Sequence, residues 1–314
     1  MSSIGELRTL TKSMRQRGEK TREKMPDNKA GFLFLLPWLI GLVCITIGPM
    51  VASLYLSLTD YNLLQPPQFV GLKNYLDMFD DPRLWNSLRV TVIYVVVGVP
   101  LQLLLALGIA LVLNRGMRGL AFYRSIMYLP SLLGGSVAVA VLWRQVFGSA
   151  GLVNSLLAVF GVQGPGWISS PDTALSTIIL LHIWTFGSPM IIFLAGLRQI
   201  PGQYYEAAEV DGAGPARRFF EITLPLLSPV IFFNLVLQII FAFQSFTQAF
   251  IVSGGTGGPA DSTLFFTLYL YQQGFGNFNM GYASAMAWFL LLIVAAFTAV
   301  NFWLSRYWVF YEEG

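Results

Sequence analysis

Long apolar stretches that carry few or no Asp, Glu, Lys or Arg, separated by Gly- and Pro-rich loops, dominate the chain. A helix that crosses a membrane needs about 20 mostly apolar residues. Six stretches are that long, over residues 32–58, 88–113, 120–143, 173–197, 224–252 and 282–309. Two further apolar stretches, 151–160 and 262–273, are too short to cross and have glycines nearby. They predict short helices lying at, or dipping into, the outer surface. No internal repeat is visible, which weighs against a transporter built from inverted halves.

Composition agrees with this pattern. Of 314 residues 55% are hydrophobic and 11% charged, with a mean hydropathy of +0.63. Globular chains carry about a quarter charged residues, so this chain has too little charge to cover a water-facing surface. The same apolar content excludes disorder. The single cysteine, Cys44, has no mate, so no disulfide framework or cysteine metal site forms within the chain. The formal charge of +3 suggests no nucleic-acid partner, because the basic residues sort by side of the membrane instead of forming a patch.

That sorting sets an expected orientation. Residues 1–30 form a basic arm with eight Lys or Arg against four acids. No small-residue cleavage site follows the first apolar run, so a retained anchor is expected. The arm places the N-terminus in the cytoplasm. The loops after spans two and four then fall on the same side, and they carry Arg115, Arg118, Arg124, Arg198, Arg217 and Arg218. Six spans also return the C-terminus there. The expected organisation is the arm over 1–30 and an all-α membrane domain of six transmembrane helices over 31–314.

Polar side chains at lipid depth are costly and usually face the protein interior or a water-filled path. In span five, Asn234, Gln238, Phe241, Ser245 and Gln248 recur at helical spacing along one stripe. Amides, a hydroxyl and an aromatic ring suit a neutral sugar, offering hydrogen bonds for hydroxyls and a platform for the ring face. The same groups also serve as interhelical glue. Span four adds His182, Thr185 and Ser188, with Gly187 and Pro189 able to loosen the helix. Neither a cofactor nor a metal site has a candidate cluster. No paired carboxylates or nucleophile–base arrangement suggests an enzyme.

Between spans four and five, residues 198–225 read as a docking device. Residues 203–210 suit a short helix, Gly212 and Gly214 permit a sharp reversal, and Pro215 can start a second helix. Glu206 and Asp211 offer charge to a partner, while Ala207 and Ala208 keep the face narrow enough for a groove. The order Glu206-Ala207-Ala208, three residues, Gly212, nine residues, Ile222-x-Leu224-Pro225, extended by Asp211 and Ala213, resembles the EAA coupling loop of permease subunits of ATP-binding-cassette importers. Gly48-Pro49, Ser57-Leu58-Thr59-Asp60-Tyr61, residues 69–75, 257–263 and 280–285 resemble the carbohydrate-uptake branch related to the maltose and glycerol-3-phosphate importers.

The resemblance implies the importer permease fold, with a cytoplasmic EAA loop coupling it to ATP hydrolysis. It implies four kinds of partner: a second homologous permease, a dimer of cytoplasmic ATP-binding-cassette ATPases, an extracellular or periplasmic solute-binding protein, and membrane lipid. ATP and Mg would be bound by the ATPase, which fits the lack of a phosphate-loop motif here. The expected address is a prokaryotic cytoplasmic membrane and the expected solute a mono- or oligosaccharide or glycoside. The alternatives are a polyol, glycerol phosphodiester or polyamine importer, or a secondary transporter or channel.

Overall fold

The computed structural model describes residues 27–116 and 119–310. Most of the basic arm, Arg118 and residues 311–314 lie outside the described residues. The chain divides into two compact units, one ending at Tyr55 and one starting at Leu56. The first is helical, with α1 (Asp27–Gly41), a wider turn over Leu42–Ile47, and the start of α2 (Gly48–Ser57). The wider turn ends just ahead of Pro49, which has no N–H to give the turn before it. Gly31–Ser57 together make a 27-residue apolar helix.

The second unit begins with a small water-facing lobe. A two-residue antiparallel ladder pairs β1 (Thr59–Asp60) with β2 (Gln68–Phe69), and α3 (Lys73–Asp77) follows. Asn74 of α3 is buried and donates to the carbonyls of Ser57 and Thr59, both at 2.9 Å. Those bonds tie the lobe to the end of α2. The ladder is too short to be visible as strand periodicity and is an addition to the expected all-helical fold.

The central element is α4 (Pro82–Asn114), 33 residues long. It starts ahead of the expected residue 88 because Asp81 caps it, accepting from the N–H groups of Arg83 at 3.0 Å and Leu84 at 3.2 Å, with Pro82 in the first turn. Its buried face includes Tyr94, Val95, Val99, Leu103, Ala106 and Ala110. The face packs against α8 (Pro171–Trp184), α9 (Gly187–Gln199) and α12 (Leu224–Phe243). Between them run α5 (Leu120–Leu133), α6 (Val137–Val146) and α7 (Leu152–Val159), then, after α9, α10 (Gly202–Val210) and α11 (Pro215–Arg218). The chain continues through α13 (Thr247–Val252), α14 (Phe266–Tyr271) and α15 (Met280–Ser305).

Among the described residues, four helices are long and apolar enough to cross a membrane, and two bent pairs bring the number to six when each pair is counted as one span. Span three bends by 93° between α5 and α6, and span four by 42° between α8 and α9. The expectation of one continuous span over 224–252 is corrected: α12 ends at Phe243, and α13 starts afresh at Thr247. The short helix expected within 262–273, lying at or dipping into the outer surface, is α14, and it is packed into the protein instead of lying on it. Leu264, Phe265, Phe266 and Leu268 have no exposed surface and belong to the core. Four hydrogen bonds to α4 hold the segment and the Asp261 just ahead of it. Arg83 forms a two-pronged ion pair with Asp261 at 2.8 and 2.9 Å, Asn86 donates to the Asp261 carbonyl, and Phe266 N–H donates to Thr91 Oγ1.

Candidate functional site

The breaks in spans three, four and five meet at one place, around a cavity of about 320 Å³. Its wall takes Tyr94 and Gln102 from α4, Ser131 from α5, Gly135 from the turn after it, and His182, Thr185 and Ser188 from span four. Gln238, Phe241, Ser245 and Gln248 complete it. No lining residue is Asp, Glu, Lys or Arg, so the wall is polar without formal charge. The structure thus brings together seven of the eight path residues expected from spans four and five.

Asn234 stands apart. It is fully buried one turn below Gln238, does not line the cavity, and neither its Oδ1 nor its Nδ2 finds a partner among the described residues. Gln248 and Ser245 lie beyond the end of α12, so their place in the wall follows from the chain's turn after Phe243 and not from helical spacing. Phe241 stands at the mouth, 60% exposed.

The broken backbone explains much of the wall's hydrogen bonding. Unwound chain at membrane depth persists only where other groups satisfy it or where it lines a cavity. Here the freed carbonyls are met by side chains from neighbouring spans. Gln248 Nε2 donates to Gly134 O at 3.2 Å, Thr267 Oγ1 donates to Ser245 O, and Ser131 Oγ donates to Thr185 O at 2.8 Å. Close approach needs glycine at two of these points. A Cβ on Gly134 would stand 2.1 Å from Thr185 Cγ2, and one on Gly187 2.7 Å from Met127 O. Two polar atoms in the wall, Gln102 Oε1 and His182 Nε2, find no protein partner among the described residues.

Gln102, Ser131, Tyr94 and Gly135 were not singled out from sequence. Gln102 carries the same signal that marked span five, an amide inside an apolar run. Tyr94 was hidden by its apolar ring, which packs 5.1 Å from His182 and 4.6 Å from Phe265.

A second polar pocket, about 510 Å³, lies in the lobe and is lined by Asp60, Lys73, Asp77, Asp80, Asp81, Tyr269 and Tyr282 among others. Asp81 is the joint of this region. Its Oδ1 caps α4 while its Oδ2 accepts from the hydroxyls of Tyr269 at 2.7 Å and Tyr282 at 2.8 Å. Burial first, then donation to Asp81, pushes the Tyr269 hydroxyl up to about 12. Asp81 is thereby committed to structure, joining α4, α14 and α15.

The segment linking α9 to α12 forms a separate surface. In α10, Glu206, Ala207 and Val210 are exposed, Val210 at 89%. The helix stops because Gly212 takes φ +75° and Ala213 N–H reaches back to Ala208 O at 2.8 Å, the pattern of a glycine-terminated helix end. Asp211, exposed, sits at that end. Beyond the turn, Arg218 pairs with Glu209 at 3.3 Å, Arg217 with Glu221 at 2.8 Å, and Tyr205 OH meets Thr223 Oγ1 at 2.9 Å. Ile222 and Pro225 line a cleft of about 310 Å³ with Tyr204 and Phe310, and Leu224, half-buried, begins α12.

A bundle of bent spans around an uncharged polar cavity, with an exposed helical arm at one end, defines a multi-span membrane transport component. Residues 82–309 match the family described as binding-protein-dependent transport system inner membrane component, and the chain belongs to that family. It is 53% identical to the probable ABC transporter permease protein YesP of Bacillus subtilis, covering 94% of this chain and 96% of that one. It is 37% identical to the sulfoquinovosyl glycerol transport system permease protein SmoG of Agrobacterium fabrum, over 89% and 91%. Identity to the lactose transport system permease protein LacF of Rhizobium radiobacter is 34%, over 88% and 94%. In fold it is similar to a chain of a bacterial alginate ABC transporter solved in complex with an alginate pentasaccharide-bound periplasmic protein. That match has a TM-score of 0.76 at 21% identity and covers 91% of this chain and 97% of the other.

Proposed function

We propose that the chain is one of two permease subunits of an ATP-driven importer that takes a sugar or glycoside from a solute-binding protein. The observation that carries this reading is the cavity at the meeting of the three breaks. Its amides, hydroxyls and aromatic rings can hold a neutral polyhydroxylated solute, and its lack of charge disfavours a strongly ionic one. The names of the relatives support a sugar or glycoside: lactose, which is neutral, and sulfoquinovosyl glycerol, a glycoside that carries a sulfonate. Glu206, Ala207, Ala208, Asp211, Gly212, Ala213, Ile222, Leu224 and Pro225 form the arm that docks on a cytoplasmic ATPase, and that partner binds ATP and Mg. The charge distribution supports cytoplasmic termini, with the lobe around Asp81 outside.

The test uses the complex copurified from its native membrane and reconstituted with ATP inside the vesicles, where the docking arm would need it. Uptake of radiolabelled lactose, trehalose and maltose is measured with the copurified binding protein outside. Gln238→Leu should lower uptake about tenfold, since a lost hydrogen bond to a buried polar group costs about 1–3 kcal/mol, with complex assembly unchanged. Uptake that needs no ATP, or that this substitution leaves unaltered, would overturn the reading.

A further inference from the structure

We propose that Gln102 and Ser131 are positioning residues that hold the bend of span four and so connect the docking arm to the cavity. This rests on the transport reading above. The argument starts from Pro189. In an unbroken helix the carbonyl of Thr185 would accept from the N–H four residues on, but that residue is proline and has none. The chain cannot satisfy this carbonyl within its own helix, and it lies at membrane depth, where water is scarce.

Two other spans meet the need. Gln102 Nε2 of α4 donates to Thr185 O at 3.0 Å, to Thr185 Oγ1 at 2.9 Å and to His182 O at 3.1 Å. Ser131 of α5 donates its hydroxyl to Thr185 O at 2.8 Å and accepts the N–H of Ser188 at 2.8 Å, so it caps the start of α9 from outside. Gln102 is 1% exposed. Gly187 lets α9 press on the backbone of α5 at this same point.

The place of the clamp gives it a role beyond packing. From the break, α9 runs to Gln199, and only Ile200 and Pro201 separate it from α10. A displacement of the arm therefore pivots α9 about Thr185, whose side chain lines the cavity. Because the pivot's bonds are carried by side chains of other spans, the bend is set by where α4 and α5 hold it.

The test uses the copurified complex in lipid nanodiscs, with Cys44→Ser and spin labels at Ser176 and Gln199, exposed positions on α8 and α9. Gln102→Met keeps length and shape but removes the donor, and Ser131→Ala is the milder variant. Both should broaden or shift the distance distribution, and Gln102→Met should change the complex's ATPase rate by about tenfold, as expected for losing the bonds to a buried carbonyl. Pro189→Ala restores the missing N–H, so adding Gln102→Met to it should have little further effect. Equal effects of Gln102→Met in the two backgrounds would reduce it to packing and overturn the proposal, as would distances unchanged in both variants. Neither readout needs a sugar, so a wrong solute class would leave this result standing, and failure of the clamp would leave the uptake test untouched.

Discussion

Gly134 tests whether the cavity is built by close approach of broken spans. Its φ of −62° and ψ of −23° are open to any residue, so only space demands glycine. In Gly134→Ala the new methyl would stand 2.1 Å from Thr185 Cγ2, where carbon atoms at rest keep about 3.5–4.0 Å. Relief comes either from moving the break or from rotating Thr185, and rotation would undo its bonds to His182 O at 2.7 Å and from Gln102 at 2.9 Å. Overpacking of this kind costs about 1–3 kcal/mol. Thr185→Ser removes the opposing methyl and keeps the hydroxyl, at a cost of about 0.8 kcal/mol. The double variant should therefore be more stable than Gly134→Ala alone, a coupling of about 1–2 kcal/mol in its favour. The assay is the temperature at which half the detergent-purified protein leaves the monodisperse peak, with sugar uptake measured alongside. A shift of about 5 °C is expected for Gly134→Ala, partly reversed in the double variant, because the Pro130 carbonyl would still stand 2.8 Å from the new methyl. A double variant as unstable as Gly134→Ala, or a Gly134→Ala protein indistinguishable from wild type, would refute the packing argument.

Four further outcomes follow from the geometry. At Gly212 a Cβ meets nothing within 4 Å but φ is +75°, so Gly212→Ala should cost about 1–2 kcal/mol through backbone strain alone. Gly212→Asn should cost less, and the amount of ATPase copurified with each variant reads the difference; equal losses would make the constraint steric. Asp81→Ala removes a helix cap and two hydroxyl-to-carboxylate bonds, about 3 kcal/mol together. Asp81→Asn, which can still cap α4, should lose about half of that in the same thermal assay, and equal damage from both would count against the assigned bonds. The Tyr269 hydroxyl keeps its proton to about pH 12 in the folded chain against an ordinary value of 10.0, so its share of stability is whole below pH 10 and lost as pH rises through 12. Tyr269→Phe should flatten that alkaline fall. Asn234→Leu replaces a buried amide that lacks a partner among the described residues and should raise stability by about 1–3 kcal/mol in the thermal assay. A destabilised Asn234→Leu protein would mean the amide is bonded in the membrane.

The spans were legible because hydrophobic length is a one-dimensional signal, and many cavity-lining residues were legible because amides and hydroxyls are expensive in lipid. The breaks were only half legible. Gly187 and Pro189 marked the bend in span four, but nothing in helical spacing says that the chain turns at Gln244. Gln248 therefore reached the wall by a different route from the one its spacing implied. Whether the 262–273 stretch lies at the surface or dips inward was not legible, for a related reason. A short apolar segment looks the same whether it rests on a bilayer surface or plugs a bundle, and the difference lies in distant partners such as Arg83, Asn86 and Thr91, which meet it only in the fold.

The coincidence of three breaks at one cavity is best understood from the energetics of the membrane interior. A span that only had to cross would keep every carbonyl inside its helix, because each one freed must find a new donor or suffer a cost of several kcal/mol. Breaking three spans at unrelated depths would multiply that cost and leave each break to find donors separately. Brought together, they serve one another: Gln248, beyond the break in span five, satisfies Gly134 in span three, and Ser131 of span three satisfies Thr185 in span four. Within the cavity wall, Gln102 Oε1 and His182 Nε2 are left without a protein partner among the described residues. A polar cavity within an apolar protein can thus be made largely from backbone and its immediate partners, which is why this one is rich in hydrogen-bonding capacity and carries no formal charge.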